Sequence, residues 1–120
     1  MRGYLSGLEY RAIRESLGLT QVEAAAFHGL KGVLTIKRWE SERSFISKAA
    51  CDKILSLCRK FNAEQEDMFN FLKGKSAEIV LTLPSVGGNF FNSLERTKIR
   101  NLYAKLRAEG YCVKLVKNYP

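Results

Sequence analysis

The stretch TQVEAAAFHG, residues 20–29, limits the fold more than any other part of the chain. Thr20 and Glu23 have the spacing of a capping box, in which a hydroxyl and a carboxylate each bind a backbone N–H at the start of a helix. Gly29 then provides a stop, because glycine readily adopts the left-handed conformation that ends helices. The stretch predicts a short helix whose alanines allow close approach by a neighbouring helix.

A second capping box lies upstream of this helix. Ser6 and Glu9 have the same spacing and predict an earlier helix that ends at Gly18. Helical periodicity places three of its residues on the inner face: Leu8, Ala12 and Ile13.

A third helix is predicted around TIKRWE, residues 35–40. Ile36 and Trp39 are three residues apart and share its buried stripe, with Val33 beside them. The preceding LKGVLT leaves the start of the helix open between a cap at Gly32 and a cap at Thr35.

The remainder of the chain changes character after residue 74. Apolar residues keep helical spacing over 46–61 and again over 62–72, as two helices or as one continuous rod. Alternation then predicts a strand over 77–83, a helix that opens at Ser93 and closes at Gly110, and a strand over 111–117. Two strands and one helix bury little apolar surface alone, so the unit is expected either to pair with another copy or to pack on the rest of its own chain. A homodimer through 77–117 is the simpler of the two expectations. The predicted fold class is mainly α with a small α+β tail: a five-helix helix-turn-helix bundle over 1–74 and a strand-helix-strand dimerisation module over 77–120.

The charge of the chain favours a polyanionic partner. Lysine and arginine number 20 against 12 acids, a net charge of +8. Residues 29–60 contain eight cations and three acids, so much of the excess positive charge lies in the sequence around the third helix. Nucleic acid is the commonest partner for such a surface, and the alternative is a generally basic surface with no partner.

Other residue types narrow the function further. One histidine, His28, and no C-x-x-C pair give almost no support for a metal site, and no cofactor motif or catalytic constellation is present. The protein is therefore not expected to be an enzyme. The odd count of three cysteines favours buried, reduced thiols. No signal peptide or membrane span is recognised, so we expect a cytoplasmic location without membrane contact.

A helix, a glycine stop, a short helix, a connection and then a basic helix are the order of a helix-turn-helix. The text IRESLGLTQVEAAAF, then Gly29, then TIKRWE resembles the Cro/C1-type helix-turn-helix family of XRE regulators over about residues 6–72. Three departures stand out. Glu42 occupies a position where the family commonly has glycine, and the connection GLKGVLTI is about one residue longer than the common pattern. The third departure is the strand-helix-strand tail, which most members of the family lack. This tail is similar in layout to that of small phage-borne regulators, including some anti-CRISPR-associated ones.

The helix-turn-helix order assigns roles to individual residues. The second helix is expected to present its N-terminus to DNA, with Gln21 donating its amide to a phosphate. Arg38 is the expected base reader, because a guanidinium can fork onto guanine. The other residues expected at DNA are Lys31, Thr35, Lys37, Arg43 and Lys48. Ile36 and Trp39 are expected in the core, and the resemblance implies that Glu40 ties the third helix to its neighbours.

The sequence thus predicts a sequence-specific regulator of transcription, a repressor that binds an inverted repeat of double-stranded DNA as a homodimer. The alternative is an antitoxin whose tail binds a toxin protein. The helix after Ser93 carries arginines 96, 100 and 107 at helical spacing. A solvated face explains them better than RNA or phosphate contact, so RNA is a less favoured partner.

Overall fold

A computed structural model describes residues 5–75, 78–84 and 89–117. The chain is mainly helical with a small two-stranded parallel sheet, which confirms the predicted class at that level. The elements are α1 (Gly7–Ser16), α2 (Gln21–Phe27), α3 (Leu34–Glu40), α4 (Lys48–Leu72), β1 (Ile79–Leu83), α5 (Phe90–Ala108) and β2 (Val113–Lys117).

The chain forms two compact units, Met1–Arg59 and Lys60–Pro120. The division falls inside α4, earlier in the chain than the predicted boundary between residues 74 and 77. The reason is that the second half of α4 contributes to the core of the second unit, where Phe69 is buried with residues of both strands and of α5.

Among the described residues, four helices, not five, precede the first strand. The predicted helices over 46–61 and 62–72 are a single helix, α4, because no proline or glycine interrupts the hydrogen-bond ladder between them. Its start also differs from the prediction, since Ile46 lies before the helix and is buried. The hydroxyl of Ser47 accepts the backbone N–H of Ala50 at 3.1 Å and so caps the first turn.

Both predicted capping boxes are present. The Ser6 hydroxyl accepts the N–H of Glu9 at 3.1 Å, and the Glu9 carboxylate accepts the N–H of Ser6 at 2.7 Å. The equivalent bonds between Thr20 and Glu23 measure 3.1 Å and 2.9 Å. Two short helices are thereby fixed at their first turns by local sequence alone.

The inner face of α1 differs from the prediction. Leu8 is 73% exposed and Ala12 is also exposed, while Ile13 is half-buried. The buried residues of the helix are instead Gly7, Tyr10 and Arg14. Their spacing of three and four residues is equally helical. Tyr10 and Arg14 are buried because the ring of Tyr10 packs against Trp39 and the guanidinium of Arg14 bonds to Glu40.

Helix α3 begins at Leu34, with Val33 as its N-cap and no side-chain hydrogen bond at the cap. Neither predicted cap is used, since Gly32 precedes the cap and Thr35 is the second residue of the helix. The helix therefore depends on packing for its position, and both α1 and α2 contact it.

The C-terminus of α3 has an unusual residue. Helices α1, α2 and α5 are each followed by a glycine with a positive φ of 76°, 73° and 88°. At the same position after α3, Glu42 has a φ of 63°. The N–H of Glu42 donates to the carbonyl of Trp39, and the N–H of Arg43 donates to the carbonyl of Arg38, the two bonds of a Schellman motif. Glutamate thus replaces the usual glycine at a small conformational cost.

The second unit holds the parallel strand pair. Ile79 is in register with Val113, and Leu81 with Leu115. Helix α5 connects the strands and begins at Phe90, three residues before the predicted start at Ser93. Asn89 is the reason, because its side chain accepts the N–H of Phe91 at 3.0 Å and caps the helix. The predicted strand residue Ala77 lies outside the described residues.

The three cysteines are free thiols. The prediction of a buried thiol is correct for Cys51, but Cys58 is partly buried and Cys112 is exposed. Cys112 directly precedes β2, and its sulfur is 3.6 Å from the Glu78 carboxylate.

Candidate nucleic-acid interface

Helix α3 presents two opposite faces. Ile36 is fully buried and Trp39 is 7% exposed, so this stripe packs into the first unit. Lys37 and Arg38 are exposed on the other side of the helix. Thr35 lies between the two faces and is half-buried.

The acid that follows the tryptophan bonds to both preceding helices. Arg14 of α1 donates from Nε to Glu40 Oε2 at 2.7 Å and from Nη2 to Glu40 Oε1 at 2.9 Å. Gln21 of α2 donates its amide to Glu40 Oε1 at 3.2 Å. One carboxylate therefore joins α3 to α1 and α2.

Arg14 was missed by the sequence reasoning, although it is the central cation of this network. Its side chain is 9% exposed, and besides Glu40 it donates from Nη1 to the carbonyl of Leu19 at 2.8 Å. The hydrogen bonds to Glu40 raise the pKa of the Arg14 guanidinium above its usual value. The available signal was its spacing of four residues from Tyr10, which places both on one face of α1.

The stretch LTIKRWESER, residues 34–43, holds a second acid that also bonds to α1. Glu42 Oε1 accepts the backbone N–H of Gly7 at 2.8 Å, at the first residue of the helix. A carboxylate at this position interacts favourably with the helix dipole and with an N–H that has no partner inside the helix. Glu42 thereby links the end of α3 to the start of α1.

The cations of the same stretch differ, since they have no acidic partner among the described residues. Among the residues that the structure describes, no carboxylate lies within ion-pair distance of Lys37, Arg38 or Arg43. These three, with Leu34 and Ser41, line a shallow depression of about 350 Å³. The outward surface of α3 and its C-terminal turn is consequently positive, while the two acids of the stretch are bonded to α1.

The other predicted DNA residues are less concentrated. Lys31 is exposed in the connection before α3, and Lys48 is exposed at the first residue of α4. Gln21 has a different partner from the predicted phosphate, since its amide donates to Glu40. The first turn of α2 also carries the Glu23 carboxylate of its capping box, which would repel a phosphate.

Aromatic rings pack against the buried face of α3. The rings of Tyr10 and Trp39 meet edge to face at 5.4 Å, and those of His28 and Trp39 at 5.3 Å. A hydrogen bond of 2.8 Å joins the Tyr10 hydroxyl to His28 Nε2. Burial raises the pKa of the Tyr10 phenol, and the nearby Glu40 carboxylate adds to the rise.

The His28 imidazole gives this cluster a pH dependence. Burial, and secondarily the charge of Lys53, lower the pKa of His28 to about 4. Between this value and about 6.5, the unfolded chain binds a proton that the folded chain does not, so stability falls as pH falls. After allowance for partial exposure, we expect a loss on the order of 1–2 kcal/mol between pH 7 and pH 5.

The measurement compares wild type with His28→Gln, whose amide keeps a hydrogen-bonding group near Tyr10. Urea unfolding at several pH values gives the free energy of unfolding for both chains. The variant should lose less stability than wild type over this interval. If the free energy of unfolding depended on pH in the same way in both proteins, His28 would not be the source of the pH dependence.

The arginines of α5 have local partners in part. Arg96 donates to the carbonyl of Pro84 at 2.7 Å, and Arg100 reaches the Thr97 hydroxyl at 3.4 Å. Arg107 is exposed near the end of the helix, where a cation interacts favourably with the dipole. Arg96 and Arg100 therefore have hydrogen-bonding partners within the second unit.

No protein-family model matches the chain, and no curated protein resembles it significantly. Within the described residues, no helix combines the length and the apolar character needed to cross a membrane.

Proposed function

We propose that the protein is a sequence-specific DNA-binding regulator that places α3 in the major groove. The observation that carries this proposal is the separation of charge on α3. Glu40 and Glu42 are bonded to α1, while Lys37, Arg38 and Arg43 extend outward without a described acidic partner. A short helix with a buried stripe and an outward cationic face is what major-groove reading requires.

The resemblance to XRE regulators supports the same reading. It gives α2 and α3 the roles of the two helices of the motif, and both helices pack against each other in the first unit. In this role α3 is the reading helix, with Arg38 directed at base edges and Lys37 and Arg43 at phosphates. Repression by a homodimer on an inverted repeat is the form of regulation we propose.

Arg38→Ala is expected to weaken binding to the selected operator by about 1–3 kcal/mol, because a bidentate contact with guanine is lost. The operator is first selected from random duplex DNA with the full chain. Fluorescence anisotropy then measures the Kd of wild type and variant for the operator and for each single-base substitution. The variant should no longer distinguish the bases at one position of each half-site.

Two control variants separate charge from base reading. Lys37→Ala should weaken all sequences about equally and reduce the slope of log Kd against log salt by about one unit. Arg11→Ala removes a cation that is exposed on α1 and pairs with Glu15, and it should change little. An Arg38→Ala variant that keeps full discrimination at every position would contradict the assignment of the base reader.

The second unit is proposed to pair two copies of the chain. Its sheet has only two strands among the described residues, so each strand has an edge without a described partner. Val80 is 54% exposed on this sheet. An open two-stranded sheet favours pairing with another chain.

An antitoxin is the second candidate, and the same open sheet favours it, because a different protein can occupy the same edges. The mass of the DNA complex distinguishes the two. Two chains on one inverted repeat support the homodimeric regulator. A stable complex with a second, co-encoded protein that covers the sheet would support the antitoxin.

A further inference from the structure

Leu34 occupies an unexpected place for an apolar side chain. It is the first residue of α3 and is 58% exposed. A single exposed leucine is ordinary on a protein surface. Leu34 differs because it lies in the same depression as Lys37, Arg38 and Arg43, at the surface proposed to face DNA.

The spacing along the helix explains this grouping. Lys37 and Arg38 follow Leu34 by three and four residues, so all three share one face of α3. Ile36 and Trp39 lie on the opposite, buried face. Leu34 therefore stands at the first turn of the outward stripe and not at its edge.

The surrounding charge determines what chemistry can cover this leucine. An apolar protein surface would leave the neighbouring lysine and arginines without counter-charges, at a high cost in desolvation. A duplex supplies both kinds of contact, since phosphates neutralise the cations and one base carries an apolar group in the major groove. That group is the C5-methyl of thymine.

We infer that Leu34 is a specificity-determining residue that contacts the C5-methyl group of a thymine. The inference rests on the proposed function. Four residues of α3 span about 6 Å and successive base pairs about 3.4 Å, so this thymine lies within about two base pairs of the base read by Arg38.

The test uses the selected operator duplex with each thymine replaced in turn by deoxyuridine, which lacks only the methyl group. Wild type should lose affinity at one thymine of each half-site, roughly three- to five-fold, the effect of burying one methyl group. Leu34→Ala should bind the unmodified operator more weakly by a similar factor. The variant should also show no further loss when that thymine is replaced.

Leu8→Ala is the matched control, because Leu8 is an exposed leucine on α1, outside the depression. It should keep the full affinity and the full sensitivity to deoxyuridine. Thermal unfolding of the three proteins checks that neither exposed substitution disturbs the fold.

The outcomes separate the inference from the function on which it depends. Specific binding with no methyl-sensitive thymine, or equal sensitivity in wild type and Leu34→Ala, overturns the role of Leu34 and leaves the regulator standing. A loss of dimer mass in Leu34→Ala, with affinity reduced at every position alike, also overturns it. Failure to select any DNA at low salt removes the proposed function and the inference together.

Discussion

Replacing Glu40 with alanine is expected to lower the free energy of unfolding by about 3–5 kcal/mol, because Arg14 would remain buried without its counter-charge. The two side chains are 9% and 6% exposed and are joined by two hydrogen bonds, of 2.7 Å and 2.9 Å. Gln21 would also lose the acceptor of its amide. Denaturant unfolding followed by the fluorescence of Trp39, the only tryptophan, measures the change.

The exposed pair on α1 is a matched control for this prediction. Arg11 and Glu15 are 3.4 Å apart, with side chains 57% and 55% exposed. Glu15→Ala should therefore cost less than about 1 kcal/mol, since water and salt screen such a pair. If Glu40→Ala and Glu15→Ala lowered the free energy of unfolding equally, burial of the Arg14–Glu40 pair would not be the source of its contribution to stability.

A double variant separates stability from positioning. Arg14→Met combined with Glu40→Leu replaces the buried ion pair with apolar groups, which commonly recovers much of the lost stability. The bonds that join α3 to α1 and α2 are not recovered. We therefore expect the double variant to fold but to bind the operator more weakly than wild type. Wild-type affinity in this variant would show that Glu40 does not position α3 for DNA.

Local sequence was sufficient for the parts of the fold whose causes are local. Ser6 with Glu9, and Thr20 with Glu23, fix the starts of α1 and α2 through bonds between residues three apart. The glycine after each helix fixes its end, as the positive φ of Gly29 shows. Such features need no knowledge of the rest of the chain.

The prediction of the inner face of α1 was wrong, because helical periodicity alone does not choose between two possible stripes of residues. Leu8 is apolar and was placed inside, yet it is exposed. Arg14 is charged and was ignored, yet it is buried, because its counter-charge at Glu40 comes from a later helix. The buried face of α1 thus depends on a partner distant in sequence, and the sequence of α1 alone does not reveal that partner.

The role of Glu42 depends on a distant partner as well. Its position was recognised as a departure from the glycine usual in XRE regulators. Its left-handed φ of 63° and its bond to the N–H of Gly7 required the structure. The replacement has a compensating gain, because a glycine at this position has no carboxylate for the start of α1.

The sequence predicted which side chains of α3 face outward, but not why that face is positive. Sequence placed Lys37 and Arg38 outward, opposite to Ile36 and Trp39. It did not explain why that face is positive although residues 34–43 also contain two acids, Glu40 and Glu42. The structure supplies the reason, since both Glu40 and Glu42 are bonded to α1. Charge counted along the sequence is therefore a poor measure of charge on the surface.

Gly7→Ala is the second large effect that we expect, a destabilisation of about 1–3 kcal/mol from overpacking. A Cβ at Gly7 would overlap the carbonyl oxygen of Trp39 and would lie 3.0 Å from the Cα of Glu40. Both neighbours are backbone and cannot rotate away. The effect should appear even though alanine is favoured over glycine inside helices by about 0.5–1 kcal/mol. Denaturant unfolding measures it.

Gly32→Ala is the control, because no atom lies within 4 Å of a Cβ built there. It should leave the stability of the first unit nearly unchanged. Gly7→Ala should also lower operator affinity, because α1 must move away from the end of α3 and the bond from the Gly7 N–H to Glu42 is strained or lost. That loss would occur with every charge in place, unlike the loss in Glu40→Ala. A Gly7→Ala chain as stable and as tightly bound as wild type would show that close backbone contact between α1 and α3 is not what orients the reading helix.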